Sequence, residues 1–376
     1  MRVISRITLS GKCWTRSATL RSSIRNPNDG VPLLRFAIDH LRRRDDRGGQ
    51  EKRVATREGS RRDIRISFRG LPTAMRSFDF WRVDVFAARP LEGNPLAVFP
   101  RAGGLTDQEM LAITREMNIS ETTFVLPSSK AGADYRNRIF TPGGELPFAG
   151  HPSLGTAYVA FMEGLIPRAE GIVRAHQEVG IGVLPLELEV RSGAVQRVVM
   201  TQGQPSVGRT ISNVDRLAKA LRIKPRDITA TNLLPQIAST GIASLQVPIR
   251  SLEIVREMDP DLPALGALLK RVSPEAGAYV FAFEAAGDAD LHSRGFFPLS
   301  RIPEDPATGS AAGACGAYLA SNQRLPGKEW FVIEQGIEIG HPSRIEVSVA
   351  IERGRPAQVR VAGAVVPIMR GTLMIP

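Results

Sequence analysis

The chain has 376 residues and the apolar share of a globular protein, with no apolar run long enough to span a membrane. Its two cysteines, Cys13 and Cys315, lie far apart without a CxxC, which removes zinc-ribbon and dithiol chemistry and any disulfide framework and points to a reducing compartment. The net charge of +11 suggests nucleic acid, but residues 1–76 hold 19 Lys and Arg against 7 Asp and Glu, and the remainder holds 30 against 31, so the folding part is near neutral and carries no nucleic-acid module.

Residues 1–76 are Arg-rich and show little periodicity beyond a short helical stretch at Leu33–Leu41. A disordered tail, a targeting peptide and a start of translation placed too early are the open readings. The last is favoured, with Met75 as initiator, because the first convincing strand follows it. Phe80–Phe86 alternates with period two, and Arg89–Pro95 is a turn by its Gly, Asn and Pro content. Leu96–Phe99 reads as a short buried strand. Thr106 and Glu109 form a capping box for a helix with Met110, Ile113 and Met117 on its apolar face, and Asn118 is its left-handed stop. Glu121 then opens the strand Glu121–Leu126.

Further on, Ile172–Val190 gives two strands broken by glycines, and Val195–Thr201 another. Ser212 with Asp215 is expected to cap a helix through Leu217 and Leu221. Ala243–Ile249 reads as a strand and Leu262–Leu269 as a helix. The helix from Gly309 to Leu319 is mostly Ala and Gly. Glycine costs roughly 1 kcal/mol in a helix interior, so Gly309, Gly313 and Gly316 imply close approach of other groups to a buried helix. Strands are expected at Trp330–Ile333, Ile345–Ala350, Gln358–Val361 and Val365–Ile375.

One internal echo organises this list. Arg138-Ile139-Phe140-Thr141-Pro142 is repeated as Arg294-Gly295-Phe296-Phe297-Pro298, and each copy runs through a loop into a small-residue helix near Gly155-Thr156-Ala157 or Gly309-Ser310-Ala311. Two copies mean a duplicated domain whose two helix N-termini can face one cleft. A helix N-terminus offers free N–H groups and partial positive charge to a carboxylate or a developing enolate.

Three ionisable residues stand at such places: Glu121 at a strand start, and His151 and Asp305 just before the two helices. Each also has a plain structural reading, Glu121 as a solvated or capping residue, Asp305 as an N-cap, His151 as a turn residue. His40, His176, His292 and His341 show no metal spacing and are expected at the surface. Serine falls one place early for a nucleophile elbow at Gly309–Gly313, and neither a P-loop nor a dinucleotide fingerprint is present.

Five stretches, in order, resemble the PhzF family of phenazine biosynthesis: Pro90–Pro95, Ser120-Glu121-Thr122-Thr123-Phe124, Glu145–Pro152, Glu304-Asp305-Pro306-Ala307-Thr308-Gly309-Ser310-Ala311, and Gln335–Ser343. The resemblance covers about residues 78–376. It implies an α+β, diaminopimelate epimerase-like fold of two pseudo-symmetric domains, each with strands wrapped around a central helix. The expected division is 1–76 as an extension, 77–200 with about 365–376 as the first half, and 201–364 as the second. It implies Glu121 as acid/base, His151 and Asp305 as its assistants, and Ser120, Gly150, Gly309 and Ser310 as binders of a substrate carboxylate. The implied reaction is isomerisation of trans-2,3-dihydro-3-hydroxyanthranilate, the alternative being another small cyclic or amino carboxylate. Epimerase relatives carry a cysteine at each helix start, and neither Cys13 nor Cys315 can stand there. No metal and no cofactor are expected. A cytoplasmic homodimer without nucleic-acid or membrane partners completes the expectation.

Overall fold

The computed structural model describes residues 75–273 and 276–376. The expectations for the leader, including Cys13, His40 and the Leu33–Leu41 helix, lie outside the described residues. Among the described residues no helix is long and apolar enough to cross a membrane.

The chain runs β1 (Arg76–Val85), β2 (Asn94–Phe99), α1 (Asp107–Met117), β3 (Glu121–Leu126), β4 (Tyr135–Thr141), β5 (Gly144–Leu146), α2 (Gly150–Met162), β6 (Gly171–Val179), β7 (Gly182–Arg191) and β8 (Ala194–Thr201). It continues through β9 (Ser206–Thr210), α3 (Asp215–Leu221), α4 (Pro225–Thr229), β10 (Gln236–Ser239), β11 (Ala243–Pro248), α5 (Leu252–Glu257), α6 (Leu262–Val272), β12 (Gly277–Ala282), β13 (Leu291–Phe297) and β14 (Ile302–Asp305). It ends with α7 (Gly309–Ser321), β15 (Phe331–Gln335), β16 (Ser343–Glu352), β17 (Arg355–Gly363) and β18 (Val365–Ile375).

Thr106 caps α1 with the reciprocal Glu109 bond, and Asn118 closes it at φ 50°. The expected cap on α3 is corrected. Its N-cap is Val214, which offers no side-chain bond, and Asn213 Oδ1 instead accepts from the Asp215 amide at 3.2 Å. The short elements β5, β9, β10, β14, α4 and α5 carry no legible period. β9 is mostly exposed, so it lacks the alternation that marks a half-buried strand.

The duplication is visible in the pairing. β2–β3 is parallel, β3–β4 antiparallel and β4–β6 parallel, and β11–β12, β12–β13 and β13–β15 repeat that order. The registers match as well. Thr122 faces Phe140 where Ala278 faces Phe296, a constant shift of 156 positions. β18 lies antiparallel on β1 and β9 on β10, while β8 pairs with β17 and joins the two sets. We propose that β1–β8 with β18 form one unit of the duplication and β9–β17 the other.

Each set wraps one buried helix. α2 is buried at every residue from His151 to Phe161, and α7 from Ala311 to Ala320. A helix apolar all round belongs inside a core. The glycines of α7 have the expected cause. A Cβ at Gly316 would stand 2.8 Å from Val347 Cγ1, and one at Gly309 would stand 2.9 Å from Phe86 Cζ. Two smaller cores flank this one, Phe99–Phe124–Phe140 beneath α1, and α3 with α6 against β11 and β12.

Candidate active site

α2 and α7 begin beside each other. A Cβ on Gly150 would lie 3.9 Å from the Ser310 amide nitrogen. Neither Ala149, the N-cap of α2, nor Thr308, that of α7, makes a side-chain cap bond. Two sets of first-turn amides therefore meet at one place, with their partial positive charge unclaimed by a capping side chain.

Glu121 opens β3 next to this meeting point because β3 lies parallel to β2, with Glu121 opposite Leu96. His151 is the second residue of α2, and its Nε2 lies 3.3 Å from Glu121 Oε2 without hydrogen-bond alignment. Both atoms are buried and lack a hydrogen-bond partner. Burial raises the Glu121 carboxyl above its ordinary range, against the opposing bond from Ser120. Burial pushes His151 down to about 4, opposed by the charge of Asp305, so the imidazole is neutral near pH 7.

Asp305 ends β14 and is equally buried. It is not the N-cap of α7. Thr308 holds that place and donates its hydroxyl to Asp305 Oδ2. Asn94 donates to Asp305 Oδ1 at 3.0 Å and to the Ala307 carbonyl at 2.9 Å. Ser120 Oγ in turn donates to Asn94 Oδ1 at 3.4 Å. Burial, with the charge of Glu121 adding to it, pushes Asp305 up to about 6 despite His151 and these bonds.

The structure thus gathers Ser120, Glu121, Gly150, His151, Asp305, Gly309 and Ser310 around the two helix starts. Two supporting residues were missed among the candidate sites. Asn94 sits in the turn motif and links Ser120 to Asp305. Gln335 is fully buried, accepts from the Thr308 amide at 3.1 Å and donates to the Asp305 carbonyl at 2.7 Å. The adjacent polar pair Glu334-Gln335 closing an apolar strand was the available signal. His292 is a correction: it is fully buried, not at the surface, because β13 carries it between Glu334 and Glu338. Cys315 lies buried within α7, and burial pushes its thiol up, away from nucleophilic use. No cluster of three or more His, Cys, Asp or Glu suited to a metal occurs among the described residues.

Duplicated halves wound on buried helices, with buried ionisable side chains where the helices start, define an α+β fold of the diaminopimelate epimerase-like type. A family described as phenazine biosynthesis-like protein, PhzC-PhzF, matches residues 83–371. The chain belongs to that family and is an enzyme of its isomerase/epimerase kind. It is 32% identical to an uncharacterized isomerase of Clostridium acetobutylicum, covering 80% of this chain and 99% of that one. It is 36% identical to the trans-2,3-dihydro-3-hydroxyanthranilate isomerase of Pseudomonas aeruginosa, over 75% of this chain and 94% of that one. Among solved structures, the PhzF-family phenazine biosynthesis protein of Bacillus anthracis superposes with a TM-score of 0.71 at 29% identity, covering 80% of this chain and all of that one.

Proposed function

We propose that this protein is a cofactor-independent isomerase that moves a proton within a small ring carboxylate, with trans-2,3-dihydro-3-hydroxyanthranilate as its substrate. The observation that carries this reading is the Glu121–His151 pair. Glu121 Oε2 and the Nε2 of the neutral His151 stand 3.3 Å apart, both buried and without a hydrogen-bond partner, beside two uncapped helix starts. The first-turn amides at Gly150, His151, Gly309 and Ser310 hold the substrate carboxylate. Glu121 is the general base. It takes the hydrogen from C3 as a proton and returns it at C1, and the ring double bonds shift between those two steps. No atom is gained or lost. Burial suits Glu121 to the task, since a carboxylate raised above its ordinary range is a stronger base than an exposed one and its acid form can still return the proton.

His151 and Asp305 do not exchange the proton in this scheme. His151, neutral, orients the Glu121 carboxylate. Asp305, tied to Asn94 and Thr308, fixes the start of α7. The similar Pseudomonas aeruginosa enzyme supports the choice of substrate. Incubation with trans-2,3-dihydro-3-hydroxyanthranilate, followed by absorbance and mass, tests it. A change in spectrum at constant mass is the expected result. If that compound is untouched while another cyclic or amino carboxylate turns over, the phenazine assignment fails and the isomerase reading stands.

A further inference from the structure

His292 is fully buried on β13. Its Nδ1 lies 2.7 Å from Glu334 Oε1 and its Nε2 lies 2.9 Å from Glu338 Oε1. An ionised carboxylate only accepts hydrogen bonds. Either neutral tautomer of the ring would therefore set a lone pair against a carboxylate oxygen. Only the doubly protonated ring satisfies both contacts.

The duplication supports the same conclusion independently. The shift of 156 carries Arg136 onto His292 and Glu178 onto Glu334, and both pairs face each other across equivalent parallel ladders. Arg136 Nε lies 3.7 Å from Glu178 Oε1. Each glutamate also fastens a loop. Glu178 accepts from the Ser129 and Lys130 amides, and Glu334 from those of Ala286 and Gly287. One half carries a permanent cation at this place, the other a titratable one.

What His292 fastens leads to the site. Glu334 ends in Gln335, which holds the Asp305 carbonyl and the Thr308 amide. Gly336 follows at φ +78°, where a Cβ would stand 2.5 Å from the Pro306 carbonyl oxygen. Glu338 lies in the 3-10 turn Ile337–Ile339 just beyond. The two carboxylates gripped by His292 thus bracket the two residues that support the Asp305 loop.

We propose that His292, held as an imidazolium between Glu334 and Glu338, is a positioning residue that keeps Gln335 and Gly336 against the Asp305 loop, and that its deprotonation loosens this loop. The importance of the loop rests on the function proposed above; the charge and the clamp do not. The charged groups around the ring are Glu334 on β15, Glu338 on the 3-10 turn, and Arg256 of α5, 3.9 Å from Glu338. On its own strand Arg294 is taken by Glu304, and Asp290, just before it, by Lys328. Tyr279 on β12 accepts from Ser293. Burial lowers the ring's affinity for its second proton, but the two carboxylates more than offset it and the net shift is upward. A histidine raised in the folded state lends stability below its unfolded value and loses it as pH rises through the folded one.

The test uses the full chain labelled with 15N-histidine and 13C-carboxyl aspartate. Long-range 1H–15N spectra report the charge of each ring, and His292→Gln identifies the His292 signal. A doubly protonated His292 at pH 7, with the Asp305 titration midpoint at least half a unit lower in His292→Gln, is expected. A neutral ring at pH 7, or an Asp305 midpoint identical in both proteins, overturns the proposal. Should His292→Gln fail to fold, Glu338→Gln removes one partner and keeps the other, and the His292 midpoint must then fall by half a unit or more; no change overturns the clamp. Neither readout needs a substrate, so a wrong substrate and a wrong clamp are told apart.

Discussion

Glu121 and Gly277 occupy equivalent positions in the two halves, and only one of them has a side chain. Each opens a strand, opposite Leu96 in one half and Ser244 in the other, and they lie 156 positions apart. The space that a side chain at Gly277 would need is filled by Phe297, whose Cδ1 would stand 2.0 Å from a Cβ there. A two-base racemase needs a proton-transfer group on each face of its substrate. Here the duplication offers Glu121 on one face and an aromatic ring in place of its counterpart, which favours a single base that removes and returns one proton.

Glu121→Gln keeps the size and the hydrogen bonding of the side chain and removes the base. Turnover should fall by roughly 10²–10⁴-fold, the usual worth of general acid–base catalysis, with substrate binding nearly unchanged. Steady-state kinetics beside a direct binding titration checks both halves of the statement. Full activity in this variant would end the single-base mechanism. Isotope tracing adds a second view: in deuterated water, direct return leaves part of the original hydrogen in the product.

Gly277→Ala asks Phe297 to move within a packed interior. Overpacking of this kind costs about 1–3 kcal/mol. A denaturant midpoint lowered by a matching amount is expected. An unchanged midpoint would show that the ring has room to swing aside and that the glycine is not required by packing.

Asp305 should cost the fold stability when it ionises. Its carboxyl sits at about 6 in the folded protein against 3.8 for an ordinary aspartate. Between those values the folded state holds the proton more tightly than the unfolded chain, so stability falls as pH rises through that window. The loss is complete above about pH 6 and amounts to about 3 kcal/mol. Asp305→Asn removes the charge and can keep the contacts to Asn94 and Thr308. Its melting temperature should exceed that of the parent at pH 8 and converge with it near pH 4, while activity drops. A parent more stable than Asp305→Asn at pH 8 would contradict the placement of this carboxyl.

Gln335→Ala tests the support beneath Asp305. It leaves the Asp305 carbonyl and the Thr308 amide without their bonds. An orphaned buried group costs roughly 1–3 kcal/mol. Lower stability together with weaker turnover is expected, since the start of α7 loosens with the loop. Lost stability at full turnover, measured well below the melting temperature, would mean that Gln335 serves the fold alone.

Much of this was legible in the chain itself. The Arg138 and Arg294 echoes predicted a duplication, and the strand registers reproduce their spacing. Thr106, Glu109 and Asn118 marked both ends of α1, because capping is a matter of neighbours within a few residues. Glu121, His151 and Asp305 were singled out by their places at strand and helix ends, and the glycines of α7 announced a crowded helix. Local chemistry and an internal repeat both survive in one dimension.

Other features were decided only by tertiary structure. Nothing near His292 in the chain distinguishes it from a surface histidine. Its partners lie 42 and 46 positions away, and the parallel β13–β15 ladder brings them to the ring. Asp305 read locally as a helix cap, yet burial beneath distant parts of the chain and the charge of Glu121 raise its proton affinity, against the bond from Asn94, 211 positions earlier. The Glu121–His151 contact likewise depends on how β3 lies against α2. A side chain's charge state follows from its burial and from charges within a few ångströms, and those neighbours are set by the fold rather than by adjacency along the chain.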